Sequence, residues 1–320
     1  PIFIDINIKD FGPNYEELEI ILKRKPACFL LTYLFGYVPN MEKILSCCDK
    51  YNVPIIEDIS QNIGSLYKGK LLGKFGAASI YSCSLSKFVD AYNGSFILTE
   101  NDELAIKMND LTKDFKKPSS TRIRNIILKT FLFNFSLSLK YFSFIVYPVL
   151  RVFKKFMPLV FSKLTMTGKA KKRLKVIPVY YFEDITNIQC DLINLKLDEL
   201  QSRIMLRRDT IGRIISTIKD KVPSYYDNNL VHLEDMLKNN TYWQFVIKVK
   251  DTNKAKDLLF DYSIETGITN LPDLSQFYKI NLKNSINLRE RHIFLPLHDE
   301  LKIRSYQRII EILEVNDLLR

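Results

Sequence analysis

Residues 53–87 read VPIIEDISQNIGSLYKGKLLGKFGAASIYSCSLSK, and two short apolar runs inside this stretch decide the fold. Val53–Ile56 and Ala78–Ser82 have the length and β-branched or aromatic content of strands. Each ends on polar residues that can carry chemistry. The first delivers the acidic pair Glu57-Asp58 and, three residues after Asp58, Gln61. The second opens into Cys83-Ser84-Leu85-Ser86 and ends on Lys87. A third feature, Asn93-Gly94-Ser95, stands just before another apolar run, Ser95–Leu98. Ligands of open α/β sheets bind outside the carboxyl ends of the strands, so side chains delivered there form a candidate site.

Working outward from this stretch, strand-like and helix-like patterns alternate. Ile2–Asp5 is expected as a short strand and Tyr15–Arg24 as a helix, with Leu18, Ile20, Ile21 and Leu22 at helical spacing. Cys28–Tyr33 is a continuous apolar run of the kind buried on both faces of a parallel sheet. Met41–Tyr51 is expected as a helix with Asn40 as its N-cap, and Asp102–Asp114 as a helix with acids in its first turn. Farther on, Thr186–Lys219 is one long amphipathic helix and Tyr242–Val249 an alternating strand around Trp243. Lys254–Tyr262 follows as a helix, Ile264–Ile268 and Ile293–Leu297 as strands, and Lys302–Leu318 as a terminal helix. The expected class is α/β, with a mostly parallel sheet covered by helices and a smaller C-terminal α/β domain. The chain divides into residues 1–117, an insert at 118–180, and residues 181–320 that hold the long helix and the small domain.

The formal charge of +11 belongs to one segment. Lys116 to Lys175 holds 15 Lys and Arg and no Asp or Glu, so the remaining residues carry 32 bases against 36 acids. A nucleic-acid enzyme would spread its bases around a groove over several elements, and nucleic acid is therefore not expected as a partner. The same segment is rich in Phe, Leu, Ile and Tyr, yet its longest uncharged runs, Thr130–Leu139 and Tyr141–Leu150, are ten residues each. That is half the length of a spanning helix. Two readings remain for this insert. It could lie on an anionic membrane face through 118–175, or pack as helices on its own domain or on a partner subunit. The five cysteines include no CxxC pair and there are only three histidines, so no metal site is expected and the thiols read as reduced.

Taken singly, an acid at a strand end and a lysine in a loop are weak signals. The wider pattern is specific. The stretch at 53–87, together with YLFGYVPNMEKILSCCDKY at 33–51, NIQCDLINLKLDELQSRIMLRRDTI at 187–211 and IFLPLHDEL at 293–301, resembles the DegT/DnrJ/StrS family of sugar aminotransferases that depend on pyridoxal 5'-phosphate. The opening Pro1–Asp5 is similar to a strand of the same family. The resemblance implies a fold type I, aspartate-aminotransferase-like large domain. It also implies a nucleotide-sugar substrate, an amino-acid donor such as glutamate, a homodimer, and a cytoplasmic place in surface-polysaccharide or lipopolysaccharide sugar synthesis.

Roles carry over where residues agree. The resemblance assigns Asp58 to the pyridine nitrogen of the cofactor, Gln61 to the ring near its phenolic oxygen, and Ser82 to the phosphate. Lys87 would hold the cofactor through its ε-amine and shuttle the proton; relatives that dehydrate sugars carry His there, so Lys87 points to amination.

The chain also departs from the family. The glycine-rich turn after the lysine reads Tyr92-Asn93-Gly94-Ser95 with a single glycine, so a reshaped loop is expected. Phe182-Glu183-Asp184-Ile185 replaces a motif with Asn and Arg, and Thr269 stands where His is usual. The family's N-terminal segment has no counterpart in the sequence, and the strand-like start at Pro1 reads as the interior of a longer protein. These departures sustain the alternatives of a catalytically inactive relative acting as a binding or scaffolding partner, and of a membrane-associated protein whose function lies in the insert.

Overall fold

The computed structural model describes residues 1–137, 141–157, 176–269, 274, 278, 280–297 and 302–319. Its first unit is built on a four-stranded sheet. Strands β1 (Phe29–Thr32), β2 (Ile55–Asp58), β5 (Ala78–Ser82) and β6 (Ser95–Leu98) lie in that order. The first three are parallel and β6 runs antiparallel to β5. Between β2 and β5 a small hairpin, β3 (Leu66–Tyr67) and β4 (Lys70–Leu71), leaves the sheet. Helices α1 (Tyr15–Leu22), α2 (Met41–Tyr51) and α3 (Asp102–Thr112) accompany the strands.

Local chemistry fixes several boundaries. The Asn40 side chain accepts from the Lys43 N–H at 3.1 Å to start α2, and Asn52, with φ of 53°, ends it in the left-handed region that Asn tolerates. The chain then enters β2 after Pro54. Strand β2 is two residues later than the apolar run alone predicts, because its parallel partners engage Glu57 and Asp58 as well. The acidic pair therefore lies inside the strand, not beyond it.

Farther along the chain, α6 (Asn187–Lys221) is a single helix of 35 residues, about 52 Å long. It opens with a capping box: the Thr186 hydroxyl accepts from the Gln189 N–H while the Gln189 side chain accepts from the Thr186 N–H. Its first half packs Ile193 and Ile204 into the core formed by Leu18, Leu22, Ile44, Ile55 and Tyr81. Its second half packs Ile211, Ile214, Ile215 and Ile218 into a different core, with Phe245, Ile247, Ile293, Leu295 and Tyr306. This second unit has a two-stranded antiparallel sheet, β7 (Phe245–Lys248) against β8 (His292–Leu295). Helices α7 (Pro223–Asn229), α8 (Val231–Met236), α9 (Thr252–Asp261), α10 (Lys283–Arg291) and α11 (Ile303–Val315) surround it.

Three expectations fail locally. Ile2–Asp5 is not a strand; its neighbourhood offers only an isolated bridge between Ile6 and Pro13. Asp5 is instead buried, and its carboxylate accepts from the Asn284 N–H (2.8 Å), the Ser285 N–H (3.0 Å) and the Ser285 hydroxyl (2.7 Å) at the start of α10. Ile264–Ile268 is reduced to a bridge between Gly267 and Phe294. Tyr242 leaves β7 because its N–H donates to the Gly36 carbonyl, as does that of Thr241, tying the second unit to the loop after β1.

Candidate functional site

The parallel register sets the site. Thr32 stands opposite Asp58, Asp58 opposite Ile80, and Ser82 opposite Ser95. The carboxyl ends of β1, β2 and β5 and the start of antiparallel β6 thus share one edge of the sheet. All three features singled out in the sequence converge there.

Strand alternation gives the two acids of β2 opposite duties. Glu57 is fully buried. Its carboxylate accepts from the Tyr33 hydroxyl (2.7 Å) and from the N–H groups of Gly73 (2.7 Å), Phe75 (2.7 Å) and Gly76 (2.6 Å). Four donors on one carboxylate organise the loop that leads into β5, and burial beside Glu57 pushes the Tyr33 phenol far above its ordinary value. Asp58 faces the other way and is only partly buried; Oδ1 accepts from the Ser60 N–H at 3.0 Å. Among the described residues no Lys or Arg pairs with Asp58.

Ser60 joins the two strand ends, its hydroxyl accepting from the Ser82 N–H at 3.1 Å. The Ser82 hydroxyl in turn lies 3.2 Å from that of Ser84, whose N–H also points at it (3.4 Å). Gln61 is turned to the loop after β1, with Oε1 accepting from the Phe35 N–H at 2.7 Å. Lys87 follows in the same loop as Ser84; its N–H donates to the Ser84 carbonyl at 3.3 Å and its ammonium lies 4.1 Å from the centroid of the Trp243 ring. Trp243 is itself fixed, since its indole N–H donates to the Ser86 carbonyl at 2.7 Å. Asp58 and Ser82 are therefore brought together through Ser60, Lys87 is held on the second unit's tryptophan, and Gln61 is engaged by backbone.

Ser82 and Ser84 open into a cavity of about 860 Å³ that Asn93, Gly94 and Ser95 also line. The loop beside it has an uncommon backbone. Tyr92 (φ 62°), Asn93 (φ 143°) and Gly94 (φ 91°) are three consecutive residues with positive φ. Only glycine fits the last, where a Cβ would come within 2.6 Å of the Ile185 side chain. The two others are strained positions that their surroundings must hold.

Helix α6 supplies that hold. Gln189 is buried and its amide donates to the carbonyls of Ala91 (3.0 Å) and Asn93 (3.1 Å). Lys196 pairs with Asp90 and donates to its carbonyl at 2.8 Å, and Arg203 donates to the Phe88 carbonyl at 2.7 Å. Burial, with Arg203 nearby, keeps the Lys196 ammonium below the ordinary lysine value.

Sequence reasoning had not given Gln189, Lys196, Arg203 or Trp243 any part in this site. The Thr186-x-x-Gln189 spacing signals a capping box and could have marked Gln189. The contact of Trp243 with Lys87, across more than 150 positions, leaves no local signature.

The model of the DegT/DnrJ/EryC1/StrS aminotransferase family matches residues 1–137. Within the DegT-family match, the chain is 33% identical over 119 residues to a pleiotropic regulatory protein of Geobacillus stearothermophilus, 37% of this chain and 32% of that one. It is 28% identical over 108 residues to a GDP-perosamine synthase of Caulobacter vibrioides, 34% of this chain and 29% of that one. The aligned stretch thus spans about a third of the length of these relatives. Likeness of fold reaches much farther. Superposition on the Helicobacter pylori aminotransferase PseC, involved in pseudoaminic acid biosynthesis, gives a TM-score of 0.68 at 17% identity and covers 99% of this chain and 73% of PseC. The likeness of α/β fold therefore covers both units, with the mostly parallel sheet in the first, as the resemblance implied.

Proposed function

We propose that the protein is a pyridoxal-phosphate-dependent aminotransferase acting on a nucleotide-linked keto-sugar, with glutamate as donor, in the cytoplasmic synthesis of surface-polysaccharide or lipopolysaccharide sugars. The observation that carries this reading is the joining of Asp58 and Ser82 through Ser60 at one sheet edge, with Lys87 five residues beyond Ser82 on the same loop. The residues fit the cofactor by donor chemistry. A carboxylate with no protein cation among the described residues suits a protonated ring nitrogen, and paired hydroxyls beside a cavity suit a phosphate.

When bound, the cofactor supplies an aromatic ring that accepts the electron pair freed as a C–H bond breaks next to nitrogen. Asp58 would keep the ring nitrogen protonated, Gln61 would lie against the ring near its phenolic oxygen, and Ser82 would hold the phosphate. Lys87 would bind the cofactor through Nζ, then take a proton from one carbon and return it to another. To do so it must leave the face of Trp243. GDP-perosamine synthase and PseC, with which the chain shares sequence or fold, support a sugar substrate. A homodimer is the expected working form.

The test is the visible absorbance of the purified protein with added pyridoxal phosphate, together with release of α-ketoglutarate when candidate keto-sugars are mixed with glutamate. Colour and turnover that disappear in Lys87→Ala support the enzyme. A colourless wild-type protein supports a second reading, a non-catalytic binding or scaffolding partner. That reading draws on the strained Tyr92–Asn93 turn and on a relative named as a regulatory protein.

A further inference from the structure

Residues 120–137 and 142–156 are helical. Helix α4 (Ser120–Leu137) is followed by a π-helical turn, Phe142–Val146, and by α5 (Tyr147–Phe156). The inward side of α5 is already satisfied. The Tyr147 ring lies 5.3 Å from that of Phe260, its hydroxyl donates to the Asp261 carbonyl at 3.2 Å, and the Lys154 ammonium pairs with Asp261 (3.0 Å) and Asp257 (3.2 Å) on α9. Tyr147, Leu150 and Lys154 share this face at helical spacing.

The opposite side is apolar and open to solvent. Val149, Val152 and Phe156 follow one another at i, i+3 and i+7, with Phe144 and Ile145 just before them. Phe144 is 82% exposed and Phe156 69%. On α4, Leu128, Phe131 and Phe135 form a second exposed stripe at the same spacing. The Phe135 ring at the end of the α4 stripe lies 4.1 Å from that of Tyr141, tilted by 34°, and Tyr141 leads into Phe144 and Ile145. The flanks are basic: Arg124, Lys129, Arg151 and Lys155 are exposed beside the stripes. No acid occurs anywhere from Lys116 to Lys175.

We propose that the outer faces of α4 and α5 form a docking surface for an anionic lipid bilayer, on which the helices lie flat. The charge pattern selects this occupant. A protein interface depletes Lys at its centre and sets acids against bases, whereas aromatic and aliphatic side chains framed only by Arg and Lys match acyl chains beneath anionic headgroups. Among the described residues no helix is long and apolar enough to cross a membrane, so the contact is peripheral. It requires nothing of the catalytic reading.

Sedimentation of the 320-residue chain with phosphatidylcholine vesicles, with and without phosphatidylglycerol, tests the proposal. Binding is expected with the anionic vesicles alone, falling in high salt. The pair Arg151→Gln and Lys155→Gln should weaken it roughly thirtyfold, at about fivefold per lost base. Val152→Ser with Phe156→Ser should weaken it at every salt concentration. Near-UV circular dichroism confirms that each variant is folded, and single substitutions replace any pair that is not. Absent binding to anionic vesicles, or equal binding to neutral ones, overturns the proposal. So does a self-associated wild type that the serine variant dissociates without any vesicle binding, because the surface would then be an interface between copies of this chain.

Discussion

The ammonium of Lys87 sits 4.1 Å above the ring of Trp243, a residue of the second unit and the only tryptophan in the sequence. A cation–π contact of this kind contributes about 0.5–2 kcal/mol and parks the side chain that we propose holds the cofactor. The tryptophan is therefore a built-in reporter of that lysine.

Adding pyridoxal phosphate to the purified protein should change Trp243 emission in two phases, binding followed by covalent capture. In Lys87→Ala the slower phase should vanish. Stopped-flow fluorescence checks this, and two unchanged phases in the variant would remove Lys87 from the site.

Glu57→Ala strips one acceptor from four donors, those of Tyr33, Gly73, Phe75 and Gly76. Each buried donor left without a partner costs about 1–3 kcal/mol, so a loss of more than 3 kcal/mol is expected in urea unfolding. Asp58→Ala, whose carboxylate accepts from one backbone N–H at a partly exposed position, should cost about 1 kcal/mol while abolishing cofactor colour.

Gln189→Ala removes both the reciprocal cap of α6 and the grip on Ala91 and Asn93. A stability loss of about 2 kcal/mol is expected. Gln189→Glu keeps the cap but cannot donate. It should leave the helix intact and raise hydrogen exchange at Asn93 and Gly94 alone, a separation that exchange mass spectrometry can resolve.

His292 is buried on β8, and desolvation pushes its imidazole down to about 4. The unfolded chain takes up a proton near pH 6.5, so between there and pH 4 the unfolded state binds more protons than the folded one. Stability is then fully present above pH 6.5 and is lost as the pH falls. The contribution is about 2 kcal/mol smaller at pH 5 than at pH 7. Thermal unfolding of His292→Gln across this range should show a correspondingly flatter dependence.

Much of the frame was legible because its signals are local. Met41–Tyr51 with its Asn40 cap, Ala78–Ser82 and Ser95–Leu98 occur where pattern and capping chemistry place them. The strand that ends on Ser82 follows from the same reading, whereas β2 runs two residues farther than its apolar run and takes in Asp58. Ile2–Asp5 escaped it because a strand exists only through a partner, and among the described residues this run forms no ladder; Asp5 caps α10 instead. The grip of Gln189, Lys196 and Arg203 on the Phe88–Gly94 loop spans about a hundred positions, beyond any periodicity. Late in the chain, part of the stretch IFLPLHDEL lies outside the described residues.

Helix α6 belongs to both hydrophobic cores, with Ile193 and Ile204 in one and Ile211 to Ile218 in the other. Neither unit can melt without fraying a rod the other depends on, so denaturation should pass through one transition although the chain has two sheets. A protease nick between Met205 and Arg208 would uncouple them, leaving two halves that each lack part of their interior. Evolution can therefore reshape the loops of either half freely, but it must alter this rod for both at once.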